Sequence, residues 1–187
     1  MDAQPANPGS HGRSCLIGLA VGLFAAVLLV GCSTDGDQPE ATEQPDATEV
    51  RVPGLFFGEC GGVGTDEVTA AVGTGGLSLA ERNSVGCRWE SSFFGPRASF
   101  SWYRGSPIER ERAVVELSGR DVFDVTVNSP AGELHGFAGR GSSICEVSIQ
   151  SESDFFVWSI VFTQPFSDRE MCDRVLSLAE MTVNRAQ

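Results

Sequence analysis

Residues 154–163 read DFFVWSIVFT, and from Phe155 to Val161 every side chain except Ser159 is apolar. The run is too short for a typical helix and rich in aromatic and β-branched residues, which suits a strand. Side chains of a strand alternate between two faces, so apolar residues on both imply cover on both. This segment is therefore expected at the centre of a sheet. The preceding stretch SICEVSIQ (143–150) is separated from it by Ser151, Glu152 and Ser153. A connection that short returns the chain antiparallel.

Further strands follow on either side. DVFDVTV (121–127) and ELHGFAG (133–139) precede, joined by a short polar turn. In VGCRWE (85–90), Val85, Cys87 and Trp89 share a face; in RASFSWYR (97–104), Ala98, Phe100 and Trp102 oppose Ser99, Ser101 and Tyr103. Phe93 to Arg97, with Gly95-Pro96 inside, is the natural turn between them.

Three helices complete the pattern. Thr65 to about Val72 carries Asp66 and Glu67 in its first turn, and Gly73, Gly75 and Gly76 end it. Ser106-Pro107-Ile108-Glu109 spells an N-cap, a first-turn proline and a capping box, with an end before Gly119. Ser167-Asp168-Arg169-Glu170 opens the last helix, where Cys172, Val175, Leu176, Ala179 and Val183 form one apolar stripe. The expected fold is α+β: a twisted, mostly antiparallel sheet of about six strands with three packed helices and two disulfides.

The chain divides at its N-terminal side. Leu16 to Val30 (LIGLAVGLFAAVLLV) is 15 residues without a charge. A membrane span needs about 20 apolar residues, whereas a signal-peptide core needs fewer. The core ends in Leu29-Val30-Gly31-Cys32, which resembles a lipobox. The Cys32 thiol would take a diacylglyceryl group, and cleavage before Cys32 would then expose an amine to take a further acyl chain, palmitate being typical. Two or more chains hold a protein stably on a bilayer. The expected organisation is a lipoprotein-type signal peptide over 1–31, a lipidated N-terminus and acidic linker over 32–54, and a globular α+β domain over 55–187. Residues 33–53 hold six acids before the first base, Arg51, and almost no apolar side chains, a composition that stays flexible.

The full chain has 25 acidic residues against 13 basic ones, a net charge of −12, and all the basic residues are Arg. Such a balance excludes nucleic acid as a natural partner and gives no electrostatic adhesion to anionic headgroups. Membrane contact is expected through the lipid on Cys32, placing the protein on the extracytoplasmic face of the cell membrane.

Cys15 leaves with the leader and Cys32 takes lipid, so Cys60, Cys87, Cys145 and Cys172 remain. An even count in an exported domain reads as two disulfides. Three pairings are open, and sequence does not choose among them. Cys60–Cys87 and Cys145–Cys172 are favoured, because each joins a helix region to its nearest strand.

Phe56-Phe57 before Cys60-Gly61-Gly62-Val63, Asn83-Ser84-Val85-Gly86-Cys87-x-Trp89, the run Phe100 to Ile108 (FSWYRGSPI) and Cys145-Glu146-Val147 together resemble the LprB-like mycobacterial lipoproteins. These sit in a wider actinobacterial lipoprotein family of unknown function whose members share the paired cysteines and the Cys-x-Trp strand. The resemblance spans nearly the whole domain. It implies location and fold relationship; it supplies no reaction and no catalytic residues.

Chemistry-bearing residues are sparse. His135 is the one histidine beyond the leader, and Ser142, Ser143, Asp121 and Asp124 are near it in sequence, the minimum for a hydrolase centred on His135. No G-x-S-x-G turn accompanies them. The carboxylate pairs Asp121/Asp124 and Glu109/Glu111 read as solvated faces, and no metal or cofactor is expected. The aromatic residues are more suggestive. Phe93, Phe94, Trp102, Tyr103 and Arg104 are the candidate surface for an apolar ligand or a partner protein. Arg104-Gly105, before a capped helix, could also receive an anion. The expectation is a non-enzymatic, lipid-anchored envelope protein that binds a partner or apolar ligand. A hydrolase at His135 and an accessory role for a membrane transporter are the alternatives.

Overall fold

The computed structural model describes residues 52–187. The expectations for the leader, Cys32 and residues 33–51 lie outside the described residues. Among those described, a 3-10 turn (Glu59–Gly62) is followed by α1 (Thr65–Val72), β1 (Ser78–Asn83), β2 (Gly86–Glu90), β3 (Arg97–Tyr103), α2 (Ile108–Leu117), β4 (Asp121–Ser129), β5 (Gly132–Arg140), β6 (Ile144–Ser151), β7 (Asp154–Val161) and α3 (Asp168–Arg185). The strands form one open sheet in the order β1-β2-β3-β7-β6-β5-β4, every neighbouring pair antiparallel.

The all-apolar strand is central, as its two covered faces require: β7 is fourth of seven. Its even-numbered residues Phe156, Trp158 and Ile160 face the α1–α3 side, where Trp102, Phe100 and Ala98 pair with them from β3. Phe155 and Val157 face the α2 side, which Phe137 and Val115 also fill. The indole N–H of Trp158 donates to Thr182 Oγ1 of α3 at 2.9 Å, and both groups are buried.

Local signals fix the helix ends. Gly73 closes α1 at φ 79°, a left-handed conformation that costs glycine little. Ser167 Oγ accepts the Glu170 N–H at 3.3 Å and starts α3. The last helix buries Met171, Cys172, Val175, Leu178, Ala179, Thr182 and Val183. Arg185, in its last turn, makes a two-pronged ion pair with Glu67 of α1 at 2.8 and 2.6 Å.

Two expectations need correction. There are seven strands, because SLAERN (78–83) forms an edge strand; its side chains are mostly exposed, so no apolar alternation marks it. Helix α2 begins at Ile108 with Pro107 as N-cap, one residue later than a capping box on Ser106 requires.

The disulfides are Cys60–Cys87 and Cys145–Cys172, each with Cα atoms 5.3 Å apart. The second ties α3 to β6. The first ties the 3-10 turn to β2.

Candidate binding site

The N-terminal segment is fixed before any helix begins. Ser153 donates its N–H and its hydroxyl to the Val52 carbonyl at 3.2 and 2.6 Å. The Leu55 N–H donates to Ser151 Oγ at 2.9 Å, and Phe56 and Gln187 exchange both backbone hydrogen bonds at 3.1 Å. The chain therefore enters the domain beside the β6–β7 turn. Register puts that turn at the same end of the sheet as Trp102 and Tyr103, which pair with Phe156 and Phe155.

From there the segment Phe56–Cys60 runs opposite the β1–β2 turn, and a hollow of about 700 Å³ opens between them. Its floor is Phe57, Phe100 and Trp102, all buried; Phe56 and Val85, both more than half exposed, form its two lips. Two bonds hold the walls at this separation: the Cys60–Cys87 disulfide joins them covalently, and Arg82 of β1 donates to Glu59 at 3.1 Å. The Trp102 backbone N–H donates to the Val85 carbonyl at 2.8 Å and ties the turn to the floor. Asn83 shapes the turn by accepting the Val85 N–H on its side-chain oxygen at 3.0 Å.

The turn that carries Cys60 has an unusual backbone. Cys60 has φ 56° and Gly61 φ 68°. At Gly61 an added Cβ would lie 2.8 Å from Thr182 Oγ1 and 2.9 Å from the Phe100 ring, so only glycine fits.

Trp102 is the centre of the arrangement. Phe56 and Phe57 approach it edge-on at 5.6 and 5.5 Å, and the Arg104 guanidinium lies 4.8 Å from its ring centre. Its indole N–H is buried and makes no hydrogen bond. A second hollow of about 510 Å³ shares Val85, Trp102 and Arg104 with the first, so the two adjoin across that wall.

The candidate surface read from the sequence is divided by the fold. Trp102 and Arg104 belong to the hollow. Tyr103 lines the second hollow with Trp102 and Arg104, while its ring stacks on Phe155 at 4.6 Å; burial foremost and Glu111 next push its phenol pKa up. Phe93 and Phe94 sit at the far end of β3, in the β2–β3 turn, 87% and 88% exposed and in edge contact with each other at 4.8 Å. Seven strand residues separate the two ends, about 24 Å. Phe56, Phe57 and Val85 were not among the sequence candidates. They come from segments remote from β3, and the signal available for them was the Phe56-Phe57 doublet beside a cysteine that pairs with Cys87.

The anion reading of Arg104-Gly105 is overturned. Asp154, almost fully buried, accepts the Gly105 N–H at 2.8 Å and lies 3.7 Å from the Arg104 Nε. The protein's own carboxylate fills the place an anion would take.

The His135 constellation does not assemble. His135 Nδ1 lies 3.2 Å from Thr126 Oγ1 and borders a hollow of about 300 Å³ with Glu109 and Arg112. Asp121 pairs with Arg140, Asp124 pairs with Arg112, and Ser142 and Ser143 lie beyond the opposite end of β5. Among the described residues no cluster of three His, Cys, Asp or Glu side chains is arranged for a metal ion.

With this geometry in view, comparison with known proteins gives a consistent result. The family described as "Protein of unknown function (DUF3558)" matches residues 27–185. A Mycobacterium bovis protein named "Putative lipoprotein LprB" is 42% identical over 171 residues, covering 87% of this chain and 90% of that protein. The Mycobacterium tuberculosis protein of the same name is 45% identical over 154 residues, covering 78% and 82%; that of Mycobacterium leprae is 38% identical over 157 residues, covering 80% and 83%. No solved structure gives a significant match.

Proposed function

Because this chain belongs to the DUF3558 family of proteins of unknown function, we propose its role from the site itself: a lipoprotein that binds an apolar ligand non-covalently in the hollow floored by Phe57, Phe100 and Trp102. In this reading residues 1–31 are a signal peptide, Cys32 carries the lipid, and 32–54 tether the domain on the extracytoplasmic face of the cell membrane. The relatives' name, lipoprotein, and the Leu29-Val30-Gly31-Cys32 sequence support the anchor.

One observation carries the ligand reading. A concavity of about 700 Å³ is held open by a disulfide and lined by aromatic side chains, within the range in which small-molecule sites fall, roughly 300–1,000 Å³. A flat docking face would lack that depth. The role of the aromatic residues is to bind and exclude water.

The test is a fluorescence titration of the mature protein with an apolar naphthalene dye. Saturable binding is expected, with Phe56→Ser weakening it about tenfold, since one buried aromatic contact is worth about 1.4 kcal/mol or more. Equal affinity in both proteins contradicts the reading. Intact-mass measurement of the membrane-extracted protein tests the anchor, with a diacylglyceryl and an acyl chain expected on Cys32.

The exposed Phe93–Phe94 pair favours a second reading, contact with a partner protein at the opposite end of the domain. A partner found in the membrane fraction should be lost with Phe93→Ser/Phe94→Ser while dye binding stays.

A further inference from the structure

The hollow sits where the chain enters the domain. Residues 52–56 are bonded to Ser151, Ser153 and Gln187, so Val52, the last described residue toward Cys32, is pinned at the end of the sheet that carries the mouth of the hollow. Nineteen residues, 33–51, separate Cys32 from that point, and they span at most about 65 Å. The mouth is thus the part of the domain nearest the anchor along the chain. The Phe93–Phe94 turn is at the other end.

The mouth has the chemistry of a surface that meets hydrocarbon. Val52, Phe56 and Val85 are each exposed over more than half their area at this end. Although the whole chain carries a net charge of −12, two acids beside the mouth face an arginine, Glu59 with Arg82 and Asp154 with Arg104, while Glu152, exposed in the β6–β7 turn, has no ion pair among the described residues. With those two acids paired, the mouth carries little of the chain's net negative charge. What it offers is aromatic wall.

Resting on the apolar-ligand reading of the same hollow, we propose that its occupant is an acyl chain of a lipid in the bilayer to which Cys32 tethers the protein. The chain enters between Phe56 and Val85 and packs against Trp102, while the headgroup stays outside.

Tryptophan emission tests this. Trp89 and Trp158 are fully buried and stacked on each other at 5.6 Å, whereas Trp102 lines the hollow. The mature, lipidated protein is placed in phosphatidylcholine vesicles whose acyl chains carry bromine, a contact quencher. Quenching of the Trp102 share of the emission is expected, and its loss in Trp102→Phe identifies the reporter. Val85→Asp, at an exposed lip where the fold should tolerate it, is expected to abolish quenching while Trp102 still emits. Absence of quenching in the unaltered protein overturns the proposal. If the naphthalene dye still binds in that case, the hollow remains an apolar-ligand site with a different occupant; if the dye fails as well, both readings fall. Quenching that persists undiminished in Val85→Asp also overturns it.

Discussion

Cys60 and Cys87 are bonded with their Cα atoms 5.3 Å apart, and this single bond joins the entering chain to β2 across the floor of the hollow. The other disulfide, Cys145–Cys172, has the same Cα separation and closes the same 27-residue interval, but it lies between β6 and α3, away from the hollow. Two bonds matched in loop length thus differ in what they hold.

Removing either bond should cost similar stability. The chain-entropy relation gives about 3–4 kcal/mol for loops of this size. Ligand binding should separate them. Cys60→Ser/Cys87→Ser is expected to lose dye binding, and Cys145→Ser/Cys172→Ser to keep it at a temperature where both are folded, measured by urea unfolding and titration in parallel.

Glu67 accepts two hydrogen bonds from Arg185 and one from the Gly64 N–H, and the Arg185 contact above all lowers its pKa from 4.5 to about 2. A carboxylate whose folded pKa is depressed stabilises the fold above its unfolded value. That contribution should be complete above about pH 4.5 and disappear as pH falls toward 2. Both partners are partly exposed, so the pair is worth about 1 kcal/mol at most. Urea midpoints between pH 2 and 6 should show this slope in the unaltered protein and a shallower one in Glu67→Gln.

Thr182→Val should be more damaging than its small volume change suggests. It leaves the buried Trp158 indole N–H, now bonded to Thr182 Oγ1 at 2.9 Å, without an acceptor, a loss of about 1–3 kcal/mol. Adding Trp158→Phe removes the orphaned donor, so the double variant should recover part of the loss beyond simple addition of the two costs.

Gly61→Ala meets two obstacles at once, φ 68° and neighbours 2.8 and 2.9 Å from the new Cβ. A loss above about 2 kcal/mol is expected by thermal unfolding. Phe93→Ser/Phe94→Ser, by contrast, should leave stability within about 0.5 kcal/mol, because both rings are already in solvent.

The fold was legible where burial writes a pattern. DFFVWSIVFT announces a central strand because both faces are covered, and the Ser167 cap with the α3 stripe marks the last helix without outside help. SLAERN was not legible, because an edge strand exposed on nearly every residue carries no alternation to read. Ser106 and Glu109 spell a capping box, yet Pro107 is the N-cap and no side chain caps the helix there, so α2 starts one residue later. The site was half legible. Trp102 and Arg104 stood out as an aromatic and a cation at a strand end. Phe56 and Val85 join them only through the Cys60–Cys87 bond and the β1–β2 turn, long-range geometry that neighbouring residues do not encode. Phe93 and Phe94 looked like companions of Trp102, yet strand length places them a full β3 away.

The most direct test of the central claim is amide chemical-shift mapping during titration of the domain with the naphthalene dye. Shifts concentrated on residues 56–60, 82–86 and 100–104 are predicted. Shifts confined to the Phe93–Phe94 turn or to the α2 face around His135, with those three segments unmoved, would contradict it.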